Sequence, residues 1–450
     1  MLFSNLLRLQ PLIRIRTSNH STATIERIVS NSSSFTDDKA LPMIRLEEER
    51  SAHNYHPIPV VISKGKGVHV WDVNGKQYLD FLSAYSAVNQ GHCHPRIVSV
   101  MQKQCENLTL TSRAFHNDQF AIYAKYITDM FGYDKVLPMN TGVEAGETAV
   151  KLARKWAYTV KGVPANQAKV VFARNNFWGR TLAAVSSSTD PSSFEGFGPF
   201  MPGFELVPFD DLEALEQSLS DPCTAAFMVE PVQGEAGVVV PSQGYLAGVR
   251  RLCDKYNVLF IADEVQTGLC RTGKLTACEH FSVRPDVLCL GKALSGGTYP
   301  VSAVLADDHV MLAIKPGEHG STYGGNPLAC AVAMEALAVL RDEDLAANAL
   351  RQGERFRSAI RSWGLPLVQQ VRGLGLLNAV VISQQASEGS KAQWNSVNEL
   401  TWSLCVRMAE LGLLAKPTHG NIIRFAPPLT ISDTEMDQAL EIIRKALLLQ

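Results

Sequence analysis

The stretch 258-VLFIADEVQTG-268, together with 287-VLCLGKA-293, decides the fold of this chain. Both begin with a short apolar run, the pattern of a strand that is buried on both faces. The first run leads into Asp263, and the second leads through a glycine into Lys292. In open parallel sheets, ligands bind beyond the carboxyl ends of the strands. We therefore expect Asp263 and Lys292 to meet at one edge of such a sheet.

Other short apolar runs precede and follow these two. They are Lys135–Pro138, Val170–Ala173, Ala225–Val229 and Val301–Leu305. Between the runs, apolar residues recur at helical spacing, as they do over 145–156 and 245–253. Strands that alternate with helices predict an α/β fold, in which helices cover both faces of a mostly parallel sheet.

The two ends of the folded chain show a different pattern. An Asn-Gly turn at 74–75 separates the apolar segments 68–71 and 76–81, which predicts a hairpin. After a long helical pattern from Pro327 toward Leu340, short strands at 376–382 and 422–425 mix with helices. We expect a smaller α+β domain built from the N- and C-terminal segments. The predicted bounds are 36–90 for the N-terminal segment, 91–330 for the large domain and 331–450 for the C-terminal segment, with a polar surface loop at 383–396.

Composition excludes several classes of protein. The 450 residues are 46% hydrophobic and 19% charged, which allows a large core and argues against a disordered chain. Lys and Arg number 42 and Asp and Glu 44, and this balance argues against a nucleic-acid partner. No apolar run reaches the roughly 18 residues that a bilayer requires, so we expect no membrane partner. The nine cysteines are scattered without a CxxC pair, which favours a reducing compartment.

The composition of residues 1–35 predicts an N-terminal leader segment. Arg8, Arg14 and Arg16 lie among apolar, Ser and Thr residues, and no acidic residue precedes Glu26. This composition is typical of a mitochondrial transit peptide, so we predict a location in the mitochondrial matrix. An N-terminal tail without a targeting role is the alternative. A secretory signal is disfavoured because Arg8 interrupts the apolar run.

A helix start completes a set of three chemical features. Asn140-Thr141-Gly142-Val143-Glu144 follows the first predicted strand and opens a helix. Alone, each feature has an ordinary explanation: a helix cap, a solvated lysine or a capping acid. Together they fit pyridoxal phosphate, whose aldehyde condenses with a lysine, whose ring nitrogen needs a carboxylate and whose phosphate suits helical N–H groups. The motifs GxxxxGKS and GxxxxGKT are absent, which argues against a phosphate-binding P-loop. No GxGxxG follows a strand, which argues against a dehydrogenase.

Longer stretches carry a family resemblance. They include MNTGVEAGETAVKLARKW, VEPVQGEAGVVVP, LFIADEVQTGL, GKALSGG, GEHGSTYGGNP and LLAKPTHGNIIRFAPPL. From about residue 40 to its end, the chain resembles the class III pyridoxal-phosphate aminotransferases of fold type I. It is most similar to members that transfer the δ-amino group of L-ornithine to 2-oxoglutarate. The resemblance implies a seven-stranded, mostly parallel sheet flanked by helices in the large domain.

The resemblance also implies cofactor-binding roles. Lys292 would join the cofactor aldehyde and then carry the proton, while Asp263 would pair with the ring nitrogen. The other implied contacts are Gly142 and Val143 to the phosphate, Phe177 and Val265 on the two ring faces, Gln266 to the phenolic oxygen, and Ser321 and Thr322 to the phosphate of the neighbouring subunit. Trp178, beside Phe177, is the alternative stacking residue. The contact from the neighbouring subunit would make the site a property of a dimer, and we expect a homodimer or a higher homo-oligomer.

Five substrate contacts follow from the same resemblance. Arg180 would bind the α-carboxylate of ornithine, for which a planar guanidinium is well suited. Tyr55 would contact the α-amino group, and Tyr85 would shape the pocket. Arg424 would bind 2-oxoglutarate. Glu235 would cover Arg424 in the first half-reaction and release it in the second, so that one pocket serves two substrates by a ping-pong route.

Several alternatives stay open from the sequence. Arg180 and Arg424 can be structural ion-pair partners, and Tyr55 and Tyr85 can be core or interface aromatics. The amino donor can be N-acetylornithine or 4-aminobutyrate. A protein that binds the cofactor but has no catalytic activity is a further alternative. The segment His92-Cys93-His94 lacks a second ligand cluster, so we expect no metal. His319 is expected to fix a loop.

Overall fold

The computed structural model describes residues 39–385 and 396–448. The predicted leader at 1–35 lies outside these residues, as does most of the predicted loop at 383–396. The chain divides into two compact units, residues 1–61 and residues 62–450. The described part of the first unit contains one helix, α1 (Ala40–Arg50). All other elements named below belong to the second unit.

The second unit alternates strands and helices over most of its described length. The strands are β1 (Ile62–Lys66), β2 (His69–Asp72), β3 (Gln77–Asp80), β4 (Lys135–Met139), β5 (Lys169–Ala173), β6 (Phe204–Val207), β7 (Thr224–Val229), β8 (Leu259–Asp263), β9 (Val287–Leu290), β10 (Ser302–Ala306), β11 (Val368–Leu374), β12 (Leu377–Ile382), β13 (Leu413–Leu414), β14 (Lys416–Thr418) and β15 (Ile422–Phe425). The helices are α2 (Pro95–Cys105), α3 (Asp118–Phe131), α4 (Gly142–Trp156), α5 (Leu182–Ser186), α6 (Pro191–Phe194), α7 (Leu212–Leu219), α8 (Tyr245–Tyr256), α9 (Asp308–Met311), α10 (Pro327–Asp342), α11 (Leu345–Ser362), α12 (Val397–Glu410) and α13 (Asp433–Leu447).

The largest sheet has the strand order β4-β10-β9-β8-β7-β5-β6. Strand β10 is antiparallel to both of its neighbours, and the other pairs are parallel. This confirms the predicted α/β fold with a mostly parallel, seven-stranded sheet. The six strands predicted from the sequence are present, each within one residue of its predicted bounds. The edge strand β6 was not predicted, because Glu205 interrupts its short apolar run.

The main core lies between the large sheet and α4. Strands β7, β8 and β9 are buried along their whole length, as expected for strands covered on both faces. Ala145, Ala149 and Ala153 recur every four residues on α4 and are fully buried. Because residues four apart share a helix face, these small side chains bring α4 close to the sheet. In residues 39–385 and 396–448, no helix has both the length and the apolar character needed to cross a membrane.

Two smaller sheets complete the second unit. One has the order β1-β2-β3-β13, and the other β11-β12-β15-β14. Strands β2 and β3 form the predicted antiparallel hairpin. Strand β3 also pairs in parallel with β13, so an N-terminal segment and a C-terminal segment share one sheet. This pairing supports the predicted smaller domain, whose bounds stay a prediction.

Arg271 connects three distant parts of the second unit. Its fully buried guanidinium donates to Asn89 Oδ1 at 2.6 Å, to the Leu376 carbonyl at 2.9 Å and to the Pro427 carbonyl at 2.7 Å. Burial lowers the pKa of Arg271 to about 9. The three acceptors would otherwise be buried polar atoms without a donor, which is costly. Arg271 is therefore a structural anchor for the loop that follows β8.

We predict that Arg271→Met lowers the free energy of unfolding by about 3–4 kcal/mol, because it leaves buried acceptors unsatisfied. Urea titration followed by tryptophan fluorescence measures the change. Arg251→Met, at an exposed position of α8, is the matched control and should cost less than about 0.5 kcal/mol. Equal midpoints for the two variants would show that Arg271 is not an anchor.

Candidate active site

Lys292 follows β9 at the start of a short 3₁₀ turn, Lys292–Ser295. Its φ of 44° lies in the left-handed region, which costs a residue with a side chain roughly 1–2 kcal/mol. Burial lowers the pKa of the Lys292 ammonium, and the positive charge of Arg424 lowers it further. The carboxylates of Asp263, Glu230 and Glu235 act in the opposite direction. The fold thus places the Lys292 amine among several buried charged groups.

Asp263 ends β8, the strand next to β9. Its carboxylate is buried and accepts the Val265 N–H at 3.0 Å. Burial raises the pKa of Asp263 to about 6, while the Val265 N–H and the charge of Lys292 act against this rise. The structure therefore brings Asp263 and Lys292 together at the carboxyl edge of the sheet, where the strand pattern predicted that they would meet.

Glu264 fixes the loop that leaves Asp263. Its fully buried carboxylate accepts the Thr267 hydroxyl at 2.5 Å and the backbone N–H groups of Ala277 and Cys278 at 3.0 and 2.8 Å. Burial raises the pKa of Glu264, and these hydrogen bonds oppose the rise. The loop between β8 and the 3₁₀ turn Ala277–Phe281 is thereby held from inside the protein.

The start of α4 forms a further side of the site. Thr141 caps the helix: its hydroxyl accepts the Glu144 N–H, and the Glu144 carboxylate accepts the Thr141 N–H. This capping box does not use the amides of Gly142 and Val143. A Cβ at Gly142 would lie 2.7 Å from Val265 Cγ1, so only glycine permits this close approach. The helix start thus packs directly on the loop after Asp263.

The two aromatic candidates have different environments. Trp178 is buried, stacks on Phe172 with centroids 5.6 Å apart and donates its indole N–H to Ser187 Oγ at 2.8 Å. Phe177 is only partly buried, and the guanidinium of Arg180 lies 5.5 Å from its ring centroid. Trp178 is thus a core residue, which leaves Phe177 as the better candidate for stacking on a ligand.

Glu230 is a site residue that sequence reasoning missed. It follows β7, and its buried carboxylate accepts the N–H groups of Phe177 at 3.0 Å and Gly234 at 3.1 Å. Burial and the nearby Asp263 raise the pKa of Glu230 to about 8. The only sequence signal was an acid directly after a buried strand, which more often indicates a cap.

Arg424 and Glu235 form an ion pair next to this cluster. Arg424, on β15, is 5% exposed, and its Nη1 lies 2.9 Å from Glu235 Oε2. The guanidinium also lies 5.0 Å from the ring centroid of Tyr85. Tyr85 belongs to the turn Ser83–Ser86, in which all four φ angles are positive. The structure therefore brings Tyr85, Arg424 and Glu235 together, with Lys292 within electrostatic reach.

The remaining predicted residues have more varied positions. Gln266 is buried and touches Gly234, where a Cβ would lie 2.1 Å from Gln266 Oε1. Arg180 is exposed and donates to Ser193 Oγ at 3.3 Å. Ser321 Oγ accepts from Asn140 Nδ2 of its own chain at 2.9 Å, and Thr322 is exposed. Tyr55 belongs to the first compact unit, and its role stays a prediction.

The histidines have local partners. His92 lies 2.7 Å from Asp80, and His94 lies 2.9 Å from Glu343. His319 lies between Thr148 and Lys151, each 2.9 Å from a ring nitrogen, as expected for a residue that fixes a loop. Within the described ranges, no group of three or more His, Cys, Asp or Glu residues is arranged to hold a metal ion.

The fold and this buried lysine–carboxylate cluster agree with the comparisons with known proteins. The family model Aminotransferase class-III matches residues 50–447, and the chain belongs to this family. It is 64% identical over 402 residues to the mitochondrial ornithine aminotransferase of Drosophila melanogaster, covering 89% of this chain and 90% of that protein.

Solved structures give the same result. The crystal structure of the ornithine aminotransferase from Toxoplasma gondii ME49 has a TM-score of 0.87 and 48% identity, with 96% of this chain and 99% of that chain covered. An acetylornithine aminotransferase from Elizabethkingia anophelis has a TM-score of 0.81 and 52% identity, with 92% and 100% covered. Sequence identity alone therefore does not separate these two solved structures.

We predict that Asp263→Asn stabilises the protein purified without cofactor. The folded-state pKa of Asp263, about 6, lies above its ordinary value of 3.8, so folding stability is lost as the pH rises through this range. The gain should approach about 3 kcal/mol at pH 8 and shrink as the pH falls below 6.

Urea titrations between pH 5 and pH 8.5 measure this gain. Asp254→Asn, which changes an exposed aspartate on α8 that pairs with Arg250, is the control and should not stabilise the protein at pH 8. A variant that is less stable at pH 8, or whose gain does not depend on pH, would contradict the assignment of Asp263 as a buried charge.

Proposed function

We propose that this chain is an ornithine δ-aminotransferase that uses pyridoxal phosphate. It would transfer the δ-amino group of L-ornithine to 2-oxoglutarate and form glutamate and glutamate 5-semialdehyde, which cyclises to pyrroline-5-carboxylate. The observation that carries the proposal is the buried pair Lys292–Asp263, with the ion pair Arg424–Glu235 beside it. The ornithine aminotransferases among its relatives support the choice of substrate.

The chemistry of the donor set fits pyridoxal phosphate. When bound, the cofactor supplies an electron-accepting ring that stabilises negative charge on the carbon that loses its proton. The Asp263 carboxylate would accept a hydrogen bond from the protonated ring nitrogen and so keep it protonated. Gln266 would donate a hydrogen bond to the phenolic oxygen. The amides of Gly142 and Val143 would bind the phosphate at the positive end of the α4 dipole. Val265 and Phe177 would confine the ring from its two faces.

Lys292 has the properties required of the catalytic base. An unperturbed lysine, with a pKa near 10.4, is almost fully protonated at neutral pH and is a poor base. Burial and Arg424 lower the pKa of Lys292, which increases the fraction of free amine. Lys292 would first bind the cofactor and then move the proton between the substrate carbon and the cofactor carbon that bears the amine.

The arginines would select the substrates. Arg180 is exposed beside Phe177, where a guanidinium can bind the α-carboxylate of ornithine and leave the δ-amine toward Lys292. Arg424 would bind a carboxylate of 2-oxoglutarate in the second half-reaction. In the first half-reaction Glu235 would cover Arg424, so that the α-carboxylate of ornithine is not drawn to it. Tyr85 lies against Arg424 and would complete this wall of the pocket.

The active protein would be a homodimer. Ser321 and Thr322 would reach the cofactor phosphate of the neighbouring subunit, which matches their position in a surface loop next to Tyr323. Tyr323 and Phe115 are large side chains that are 52% and 74% exposed. Aromatic side chains are enriched at protein–protein interfaces, so these two are candidates for contact with a second copy of the chain.

The mitochondrial matrix is the proposed location. The composition of residues 1–35, with Arg8, Arg14 and Arg16 and no acidic residue before Glu26, favours a transit peptide. The relatives from Drosophila melanogaster and Rattus norvegicus are both named mitochondrial. Without the first 25 residues, 39 basic and 44 acidic residues remain in a mildly acidic enzyme.

We predict that the purified, cofactor-loaded protein converts L-ornithine and 2-oxoglutarate to pyrroline-5-carboxylate. Chemical trapping of this product measures the reaction. N-Acetylornithine and 4-aminobutyrate are the matched alternative donors, and each should react at least about tenfold more slowly because Arg180 is expected to select a free amino acid head. Absence of the trapped product, with cofactor bound, would reject the proposal.

We predict that Lys292→Ala abolishes the visible absorbance band of lysine-bound cofactor and lowers turnover by a factor of at least about 10³, because both the covalent link and the base are lost. Absorbance spectra and the product assay measure the two effects. Lys103→Ala, at an exposed position of α2, is the control. A band that survives in Lys292→Ala and is bleached by ornithine would place the link on another lysine.

A further inference from the structure

Glu235 lies in a hairpin whose backbone is fixed. The N–H and carbonyl groups of Gln233 and Val239 bond to each other at 3.1 and 2.9 Å and close the hairpin. From β11, Arg372 donates Nε and Nη2 to the Gly237 carbonyl at 3.0 and 2.8 Å. From β14, the Thr418 hydroxyl donates to the Glu235 carbonyl at 3.1 Å. The Glu235 carboxylate can therefore leave Arg424 by rotation of its own side chain, without movement of the loop.

A second cation lies beside Arg424. Lys416 of β14 is directly opposite Arg424 of β15 in the antiparallel register. Opposite residues in such a pair project from the same face of the sheet, and so do residues two apart in one strand. Lys416, Thr418 and Arg424 thus project from one face, toward Glu235. One Glu235 oxygen is 2.9 Å from Arg424 Nη1, and the other is 3.4 Å from the Thr418 hydroxyl.

The electrostatics agree with this arrangement. Lys416 is partly buried, and burial lowers its pKa. The negative charge of Glu235 raises this pKa, and the positive charge of Arg424 lowers it. The Cys405 thiol, on α12, also acts on Lys416. One carboxylate therefore interacts with two cations that repel each other.

Release of Arg424 is energetically unfavourable for the Glu235 carboxylate. When a substrate carboxylate binds Arg424, Glu235 must give up its ion-pair partner in a partly buried position. A buried carboxylate without a partner is costly, and this cost would weaken the binding of the substrate. A second partner within reach of the same side chain would reduce the cost.

We propose that Lys416 is a positioning residue that receives the Glu235 carboxylate, with help from the Thr418 hydroxyl, when 2-oxoglutarate binds Arg424. The inference rests on the proposed function. It adds a second partner for Glu235, which allows Glu235 to release Arg424 and later to pair with it again. Glu235 alternates between two cations on one face of the β14–β15 pair, covering Arg424 for ornithine and pairing with Lys416 for 2-oxoglutarate.

The test measures the two half-reactions separately in Lys416→Met. The first starts from protein loaded with pyridoxal phosphate and is followed by the bleaching of its absorbance on addition of ornithine. The second starts from protein loaded with pyridoxamine phosphate and is followed on addition of 2-oxoglutarate. We expect the first rate to stay within about twofold of the unmodified protein. The concentration of 2-oxoglutarate that gives half-maximal rate should rise about tenfold.

Three further variants make the result specific. Lys416→Arg keeps the charge and should restore most of the 2-oxoglutarate binding. Thr418→Val removes the hydroxyl, and with it the hydrogen bond to the Glu235 carbonyl, and should give a smaller defect in the same half-reaction. In the Glu235→Gln background, Lys416→Met should have no further effect, because Lys416 acts through the Glu235 charge.

Several outcomes would overturn the inference. A defect that persists in the Glu235→Gln background would show that Lys416 contacts 2-oxoglutarate directly. Equal slowing of both half-reactions would indicate a general structural role. Because the second half-reaction does not use the amino donor, failure of ornithine to bleach the unmodified protein would reject the proposed donor and leave the test of Lys416 valid. Failure of 2-oxoglutarate to react with the unmodified protein would overturn both.

Discussion

The burial of several charges around one lysine is the constraint on which the rest of the site depends. Lys292, Asp263 and Glu230 would each be costly to bury alone, and they are tolerated because opposite charges lie together. Burial lowers the pKa of the amine and raises those of both carboxyls. A bound charged group would shift these pKa values further, which suits the proposed site for a charged cofactor and two charged substrates.

The large sheet makes this cluster possible. Strands β7, β8 and β9 run parallel as neighbours, and Glu230, Asp263 and Lys292 occur at or just after their carboxyl ends. Buried anchors then fix the loops that leave this edge: Glu264 holds its loop through backbone N–H groups, and Arg271 connects it to distant segments. The small sheet with β14 and β15 brings Arg424 to the same place.

Much of this organisation could be predicted from the sequence, and the exceptions have physical reasons. Asp263 and Lys292 were predicted because parallel strands end at one edge, a rule that needs only strand positions. Glu230 has the same signal but also an ordinary explanation as a cap, and its burial depends on the folded chain. Lys416 was missed because its position beside Arg424 is set by strand register, which residue spacing does not reveal. The left-handed turn that directs Tyr85 toward Arg424 gives no sequence signal, since its four residues are Ser, Ala, Tyr and Ser.

Direct identification of the lysine that bonds to the cofactor tests the central claim most directly. Borohydride reduces the carbon–nitrogen bond between a lysine and pyridoxal phosphate and makes the attachment permanent. Digestion and mass spectrometry of the reduced, cofactor-loaded protein then locate the modified residue. We predict stoichiometric modification of the peptide that contains Lys292. Modification of another lysine, with Lys292 unmodified, would contradict it.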